Sequence, residues 1–226
     1  MSSTILFRSG GAATITTWVL LIAPVPSAPA APSATSGQCP NVEVVFARGT
    51  DEPPGVGEEG QAFVDSLRSR AAGKSVGEYA VNYPASWDFP RGLDGINDAG
   101  THIEQMAANC PVTKMVLGRY SLGAAVMGFV TSNAIPAGAP SGVPNPMPPE
   151  VANHVAAVAL MAKPSNKFMN MINQPPITIG PLYAGKTIEL CAPADLVCSD
   201  GGNWAAHTEY KQGYADQAAA FAASRL

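Results

Sequence analysis

One serine in this sequence lies in a local pattern that is typical of a nucleophile. Ser121 follows a short apolar run at 114–117 and precedes a helical pattern, within Gly-Arg-Tyr-Ser-Leu-Gly-Ala-Ala from position 118. A sharp turn from strand to helix lifts a serine Oγ above a sheet. It also presents the N–H of Leu122, at the helix N-terminus, where an oxyanion would form. The alternative is a serine that only caps a helix.

The turn around Ser121 departs from the expected pattern at one position. The pattern G-x-S-x-G requires small residues because strand and helix approach closely there. Gly123 meets this requirement, but Arg119 stands where the first glycine is expected. Overpacking of this kind costs about 1–3 kcal/mol, and a shift of the serine by about 1 Å costs on the order of 100-fold in rate. We therefore predict that Arg119 lowers the efficiency of Ser121.

His207 is the histidine best placed to act as the base for this serine. It follows Ser121 in the chain, in the segment that enters the last helical pattern, and triads on such sheets run in the order serine, acid, histidine. A surface position at a helix start is the alternative. His102 falls within a predicted helix and His154 heads a predicted strand, so both are interpreted as packed or surface residues.

Two aspartates are candidates for the carboxylate that orients the histidine. Asp195 follows the predicted strand 187–190 and lies between Cys191 and Cys198. A cross-linked loop would hold its carboxylate in place, and catalysis is sensitive to small displacements. Asp195 is therefore preferred over Asp200.

The first predicted strand ends in Ala-Arg-Gly-Thr, at positions 47–50. A turn at this end of a strand places both a backbone N–H and the hydroxyl of Thr50 where an oxyanion would need donors. An ordinary turn is the alternative.

Strand and helix patterns alternate along most of the chain. Strands are predicted at 42–47, 78–83, 114–117, 154–161 and 187–190, and helices at 59–72, 92–109, 124–131 and 208–224. This order predicts an α/β fold, a parallel sheet with helices on both faces. In such sheets, sites form at the carboxyl ends of the strands. Residues 134–149 contain six prolines and are predicted to form an irregular loop.

The first 38 residues are not expected to join the folded domain. Arg8 is the only charge among the first 42 residues; an apolar run from Ile15 to Val25 and a small-residue cleavage pattern ending at Ala30 follow it. These features predict a secretory signal peptide over 1–30, because the run is too short to span a bilayer. An uncleaved anchor is the alternative. Residues 31–38 are predicted to be a flexible leader and 39–226 one domain.

Charge and cysteine content narrow the function classes. Without the signal peptide, the chain has twelve basic and seventeen acidic side chains. It contains no run of basic residues, which argues against a nucleic-acid partner. Four cysteines in an exported chain predict two disulfides, with three pairings open. No metal site is expected, because there is no CxxC pair and the three histidines are scattered.

Taken together, these segments resemble the cutinase family, most closely its actinobacterial cutinase-like branch. The resemblance covers nearly all of 39–226. It is carried by Cys-Pro-Asn-Val-Glu-Val-Val-Phe-Ala-Arg-Gly-Thr from position 39, Asn-Tyr-Pro-Ala from 82, Lys-Met-Val-Leu-Gly from 114, Tyr120, Ser121, Gly-Ala-Ala from 123, Cys191, Pro193, Asp195, Cys198 and His207.

The resemblance implies a compact α/β-hydrolase fold with five parallel strands and no bulky lid. It implies a catalytic triad of Ser121, Asp195 and His207. It assigns Thr50 and the N–H of Leu122 to the oxyanion hole. It also implies two disulfides, Cys39–Cys110 and Cys191–Cys198.

The implied activity is that of a secreted serine esterase. The chemistry of the triad needs no cofactor, and the protein is expected to be a monomer. Family substrates are short- and medium-chain esters, acylglycerols, polyesters and, for some members, phospholipids, so transient contact with lipid surfaces is expected. The family pattern has Gly at 119 and Gln at 122, whereas this chain has Arg119 and Leu122. These departures leave two alternatives open: a catalytically degenerate protein that binds lipid or cell-envelope surfaces, and another ester or thioester chemistry on the same frame.

Apolar residues near the predicted site are candidates for an acyl-binding rim. They are the segment 175–179 with Leu182, and Leu196 with Val197 beside Asp195. Ordinary loop packing is the alternative.

Overall fold

A computed structural model describes residues 39–211 and 213–226. The predicted signal peptide and leader lie outside the described residues. Within the described part of the chain, no helix has the length and apolar character needed to cross a membrane.

Five parallel strands form one sheet in the order β2-β1-β3-β4-β5. The strands are β1 (Val42–Ala47), β2 (Val76–Ala80), β3 (Lys114–Tyr120), β4 (Val155–Met161) and β5 (Thr187–Leu190). Every residue of β1 and all but the first of β3 are buried. Strands covered on both faces are continuous apolar runs, which is why these two were evident in the sequence.

Strand β2 ends earlier than the pattern predicted. It spans Val76–Ala80, whereas the prediction was a strand over 78–83 that stops before Pro84. The Asn82 N–H donates to the Asp98 carboxylate at 2.8 Å. A backbone donor used in this way cannot extend the ladder, so the strand stops.

Helices cover both faces of the sheet. They are α1 (Gly57–Arg70), α2 (Gly92–Asn109), α3 (Leu122–Val130), α4 (Asn166–Met171), α5 (Pro181–Ala184), α6 (Trp204–His207) and α7 (Tyr214–Ala223). Short 3-10 turns span Phe89–Arg91 and Pro149–His154. Helices α1 and α7 pack over one face, and α2 and α3 over the other. The predicted α/β fold with a five-stranded parallel sheet is confirmed.

The C-terminal region differs from the prediction of one helix over 208–224. Helix α6 ends at His207, and α7 begins only at Tyr214. Gly213 adopts a φ of 81°, a left-handed conformation that breaks a helix, and the Tyr210 side chain is turned fully into the interior. Helices α4, α5 and α6 were not predicted, because four to six residues carry too little periodicity.

Two disulfides close the fold, with the pairing implied by the resemblance. Cys39 and Cys110 join the start of the described domain to the end of α2, with Cα atoms 5.6 Å apart. Cys191 and Cys198 close the loop after β5, with Cα atoms 5.8 Å apart. In the part of the chain that the structure describes, no cluster of three or more potential metal ligands occurs.

Candidate active site

Ser121 lies at the turn from β3 to α3, with φ 52° and ψ −118°. A non-glycine residue in this region is strained and is held there only by its surroundings. The Ser121 N–H donates to the Met161 carbonyl at 3.0 Å. A Cβ at Gly123 would overlap the Ala47 carbonyl, so only glycine allows α3 to approach β1 this closely. We call residues 119–123 the elbow.

The structure brings the three predicted triad residues together. Ser121 Oγ lies 2.8 Å from His207 Nε2, and His207 Nδ1 lies 2.8 Å from Asp195 Oδ2. Asp195 is 0% exposed and His207 2%. Because water has little access to the pair, the hydrogen bond between them is expected to be strong and well oriented. By contrast, Asp200 is fully exposed, with Lys167 as its nearest cation at 3.9 Å.

Asp195 is held by donors on every side. Its Oδ1 accepts the Val197 N–H at 2.6 Å and the Cys198 N–H at 3.4 Å, both within the disulfide loop. Its Oδ2 accepts the Tyr210 hydroxyl at 2.8 Å, and that hydroxyl accepts the Ala192 N–H at 2.7 Å. Burial is the main cause that raises the pKa of Tyr210, so the hydroxyl remains a donor.

Tyr210 was not anticipated from the sequence. It lies in the segment predicted to be part of the last helix, and no local pattern distinguishes its hydroxyl from that of an ordinary buried tyrosine. Only its contact with Asp195 reveals a role.

His207 is also held through its backbone and ring. The Tyr120 hydroxyl donates to the His207 carbonyl. The Trp204 ring centroid lies 5.0 Å from that of His207. The other described histidines lie elsewhere: His102 stacks on Tyr79 with centroids 3.5 Å apart, and His154 ends a 3-10 turn.

The two residues that the sequence predicts as oxyanion donors are found at the same cleft as the serine. Thr50 and Leu122 line the same cleft as Ser121 and His207. Leu122 is the first residue of α3, so its N–H has no acceptor within the helix. The turn that carries Thr50 is braced by Glu52, whose carboxylate accepts the neighbouring Gly49 N–H at 2.5 Å.

Arg119 is fully buried near the end of β3, and among the described residues none of its guanidinium nitrogens has a hydrogen-bond partner. Burial lowers the pKa of the guanidinium well below its ordinary value, and the negative charge of Glu189 opposes that effect only in part. Despite this side chain, Ser121 and His207 remain 2.8 Å apart. The unfavourable feature at this position is therefore a buried charge that lacks hydrogen-bond partners among the described residues. It is not a displacement of Ser121.

The serine opens into a largely apolar cleft of about 880 Å³, part of it open to solvent. Its lining includes Leu93, Val126, Phe168, Met169 and Ile172.

The proposed acyl-binding rim is only partly supported. Pro175 and Val197 line the cleft, but Leu182 and Leu196 are not among its lining residues. Ile177 is buried in a cluster with Ala125 of α3.

Comparisons with known proteins identify the family of this chain. The family model for cutinase matches residues 38–226. The probable carboxylesterase Culp5 of Mycobacterium tuberculosis is 64% identical over 165 residues, which cover 73% of this chain and 95% of that protein. Phospholipase Culp4 of the same organism is 49% identical over 196 residues, covering 87% of this chain and 83% of its own.

Solved structures show the same architecture. A Trichoderma reesei cutinase in complex with a phosphonate inhibitor superimposes with a TM-score of 0.64 at 30% identity, covering 82% of this chain and 76% of that one. The chain therefore belongs to the cutinase family and is a serine ester hydrolase.

Proposed function

We propose that this protein hydrolyses short- to medium-chain carboxylic esters, including lipid esters, through an acyl-enzyme formed on Ser121. The observation that carries the proposal is the chain of contacts from Ser121 through His207 to the buried Asp195, with Ser121 and His207 lining an apolar cleft. Such an arrangement combines an activated nucleophile with a binding surface for an acyl chain.

The reaction follows from the positions of these groups. His207 Nε2 takes the proton from Ser121 Oγ as that oxygen attacks the ester carbonyl carbon. Thr50 and the Leu122 N–H stabilise the resulting oxyanion. The bond to the alkoxy oxygen then breaks, and the alcohol leaves with the proton from His207. Water adds by the same steps, which releases the carboxylic acid and free Ser121.

A direct experiment is the hydrolysis of p-nitrophenyl butyrate by residues 31–226, produced in an oxidising compartment. We expect turnover in the wild type and none above background in Ser121→Ala. A p-nitrophenyl phosphonate ester should release one equivalent of p-nitrophenol and add its phosphonyl mass to the Ser121 peptide. Turnover that survives in Ser121→Ala, or labelling at another residue, would contradict the proposal. A folded wild type without turnover would favour the degenerate binding protein instead.

Names of relatives support lipid esters as substrates. A relative at 49% identity is named a phospholipase, and one at 64% is named a probable carboxylesterase. The apolar lining of the cleft suits an acyl chain, since burial of each methylene contributes about 0.8 kcal/mol.

Transient contact with a lipid surface is part of this proposal. Trp87 and Trp204 both line the cleft, are 55% and 46% exposed, and have ring centroids 6.0 Å apart. Aromatic rings favour the boundary between water and lipid. Trp87→Ala should lower kcat/KM on emulsified tributyrin more than on soluble p-nitrophenyl butyrate. Leu182→Ala is the matched control, because Leu182 is 52% exposed but does not line the cleft. Equal losses on both substrates would contradict surface contact.

Export and a monomeric state complete the proposal. Two disulfides are typical of an oxidising compartment, and one chain supplies every residue of the site. When the full chain is produced in an actinobacterial host, the protein recovered from the medium should begin near Ala31 and elute as a monomer. Retention in the cells with residues 1–30 attached would contradict cleavage and export.

A further inference from the structure

The cleft at Ser121 is adjacent to a second cavity under the proline-rich loop, residues 134–149. The second cavity is lined by α2, α3 and this loop. Four residues line both spaces: Ile96, Phe129, Pro136 and Val143. We call these four residues the partition. Because the same side chains face both spaces, the partition is about one side chain thick.

The two spaces differ in polarity. Beyond the reacting groups, the cleft is lined almost entirely by apolar side chains. The second cavity is lined in part by Asn97, Thr101, Glu104 and Asn145. An alkyl chain that entered it would remove water from these polar groups, so the second cavity binds such a chain less well than the cleft does. The apolar residues Val130, Ile135 and Met147 of the same cavity would still contact a chain that reached it. The cleft is therefore the preferred place for an acyl chain, and the partition is where that space ends.

We infer that the partition sets the length of acyl chain that this enzyme accepts, with Pro136 and Val143 as its specificity-determining residues. The inference rests on the proposed ester hydrolysis at Ser121. Within that function, it assigns a residue-level limit to the acyl site.

Helix α2 allows the length of the second cavity to be compared with that of an acyl chain, because residues of this helix line first the cleft and then the second cavity. Ile96 belongs to the partition, and Glu104 lines the second cavity eight residues further along. At 1.5 Å per residue this separation is about 12 Å. An extended chain advances about 1.2 Å per bond, so a chain that crosses the partition gains room for roughly ten more bonds.

The partition can be opened without changing the core. Ile96 and Phe129 belong to the hydrophobic cluster under α2 and α3, but Pro136 and Val143 do not pack in any of the core clusters. The double variant Pro136→Ala, Val143→Ala therefore tests the inference. The matched control is Ile135→Ala, Pro144→Ala, which alters the same loop at residues that line only the second cavity.

The measurement is kcat/KM for p-nitrophenyl butyrate, octanoate and palmitate in one detergent emulsion. We expect the opened variant to raise the ratio of palmitate to butyrate by about tenfold, because single methylene-sized changes in an apolar pocket alter selectivity about 10-fold or more. The control should leave the ratio within about twofold of wild type. An unchanged ratio of palmitate to butyrate in the opened variant, or an equal shift in the control, overturns the inference. If the wild type still turns over butyrate, the proposed ester hydrolysis is retained. Absence of butyrate turnover in the wild type overturns both.

Discussion

At the residue scale, Arg119 is the position where sequence and environment disagree most. Among the described residues, the 0% exposed guanidinium of Arg119 has no hydrogen-bond partner, so it keeps most of the penalty of leaving water. Its neighbours in the sheet, Ala47 and Leu160, are apolar. The arginine therefore lowers the free energy of unfolding, although the elbow keeps its geometry.

Two replacements separate the effect of charge from that of volume. Arg119→Met keeps a long side chain without charge, and Arg119→Gly removes both. We expect Arg119→Met to raise the free energy of unfolding by about 1–4 kcal/mol and Arg119→Gly to raise it less, since glycine leaves a cavity and a more flexible chain. Denaturant titration checks the order, and the reverse order would indicate overpacking.

The same variants test the predicted effect of Arg119 on catalysis. Because Ser121 and His207 are already 2.8 Å apart, kcat/KM in Arg119→Gly should rise by less than about tenfold. A rise of about 100-fold on p-nitrophenyl butyrate would instead indicate that Arg119 displaces the elbow in solution.

Tyr210 is a positioning residue whose hydroxyl donates to Asp195 at 2.8 Å. Tyr210→Phe should lower kcat about tenfold with little change in KM. A hydrogen bond to a carboxylate contributes about 1.5–3 kcal/mol, and we expect its loss to destabilise the transition state by part of that amount. The neighbouring Tyr214→Phe is the matched control, since its ring packs against that of Tyr210 at a tilt of 32°, with centroids 4.7 Å apart. A change confined to KM, or an equal effect in the control, would argue against positioning.

At the scale of elements, one carboxylate connects the Thr50 turn to helix α1. Glu52 accepts the Gly49 N–H at 2.5 Å and the Glu58 N–H at 2.8 Å, so it braces the turn and satisfies a donor in the first turn of α1. Glu59 is buried beside it, 5% exposed. Burial, followed by the hydrogen bond and charge of Glu52, raises the pKa of Glu59 to about 7. The positive charge of Lys211 opposes this shift only weakly.

This raised pKa makes stability depend on pH. The folded state keeps the Glu59 proton up to about pH 7, whereas the unfolded chain releases it near its ordinary pKa of 4.5. Protonated Glu59 therefore contributes to the free energy of unfolding. This contribution is fully present below pH 4.5 and is lost as pH rises to about 7. Glu59→Gln cannot ionise, so its melting temperature should exceed that of wild type at pH 8 and match it near pH 4.5. A constant difference at both pH values would contradict this assignment.

At the scale of the whole molecule, the two disulfides are expected to act differently. Cys39–Cys110 closes a loop with a sequence separation of 71, and Cys191–Cys198 one of 7. Loop-closure entropy predicts losses of about 4 and about 2 kcal/mol of unfolding free energy when each pair is replaced by alanine. The loss of kcat/KM should show the opposite order. Removal of Cys191–Cys198 should lower it more than removal of Cys39–Cys110, because the short loop carries Asp195. Comparison of unfolding free energy with kcat/KM checks this, and a parallel loss of both in the two variants would contradict it.

Much of the fold and of the candidate site could be predicted from local patterns. Strands β1 and β3 and the long helix α2 were evident in the sequence. Burial on both faces of a sheet produces a continuous apolar run, and a helix produces a 3.6-residue periodicity, and both patterns are visible within ten to twenty residues. The serine at the end of β3 and the histidine before the last helix followed from chain order. Short helices and the break at Gly213 were missed, because their causes are contacts made elsewhere in the chain.

The sequence by itself determined the alternation of strands and helices, the order of Ser121, Asp195 and His207, and the unusual Arg119 at the elbow. Only the tertiary structure decided which aspartate meets the histidine, that Tyr210 supports it, and that Arg119 lacks partners. It also revealed the apolar cleft beside Ser121. The physical reason is that burial, hydrogen bonding and cavity walls arise from residues distant in the chain, whereas periodicity and chain order are properties of neighbours.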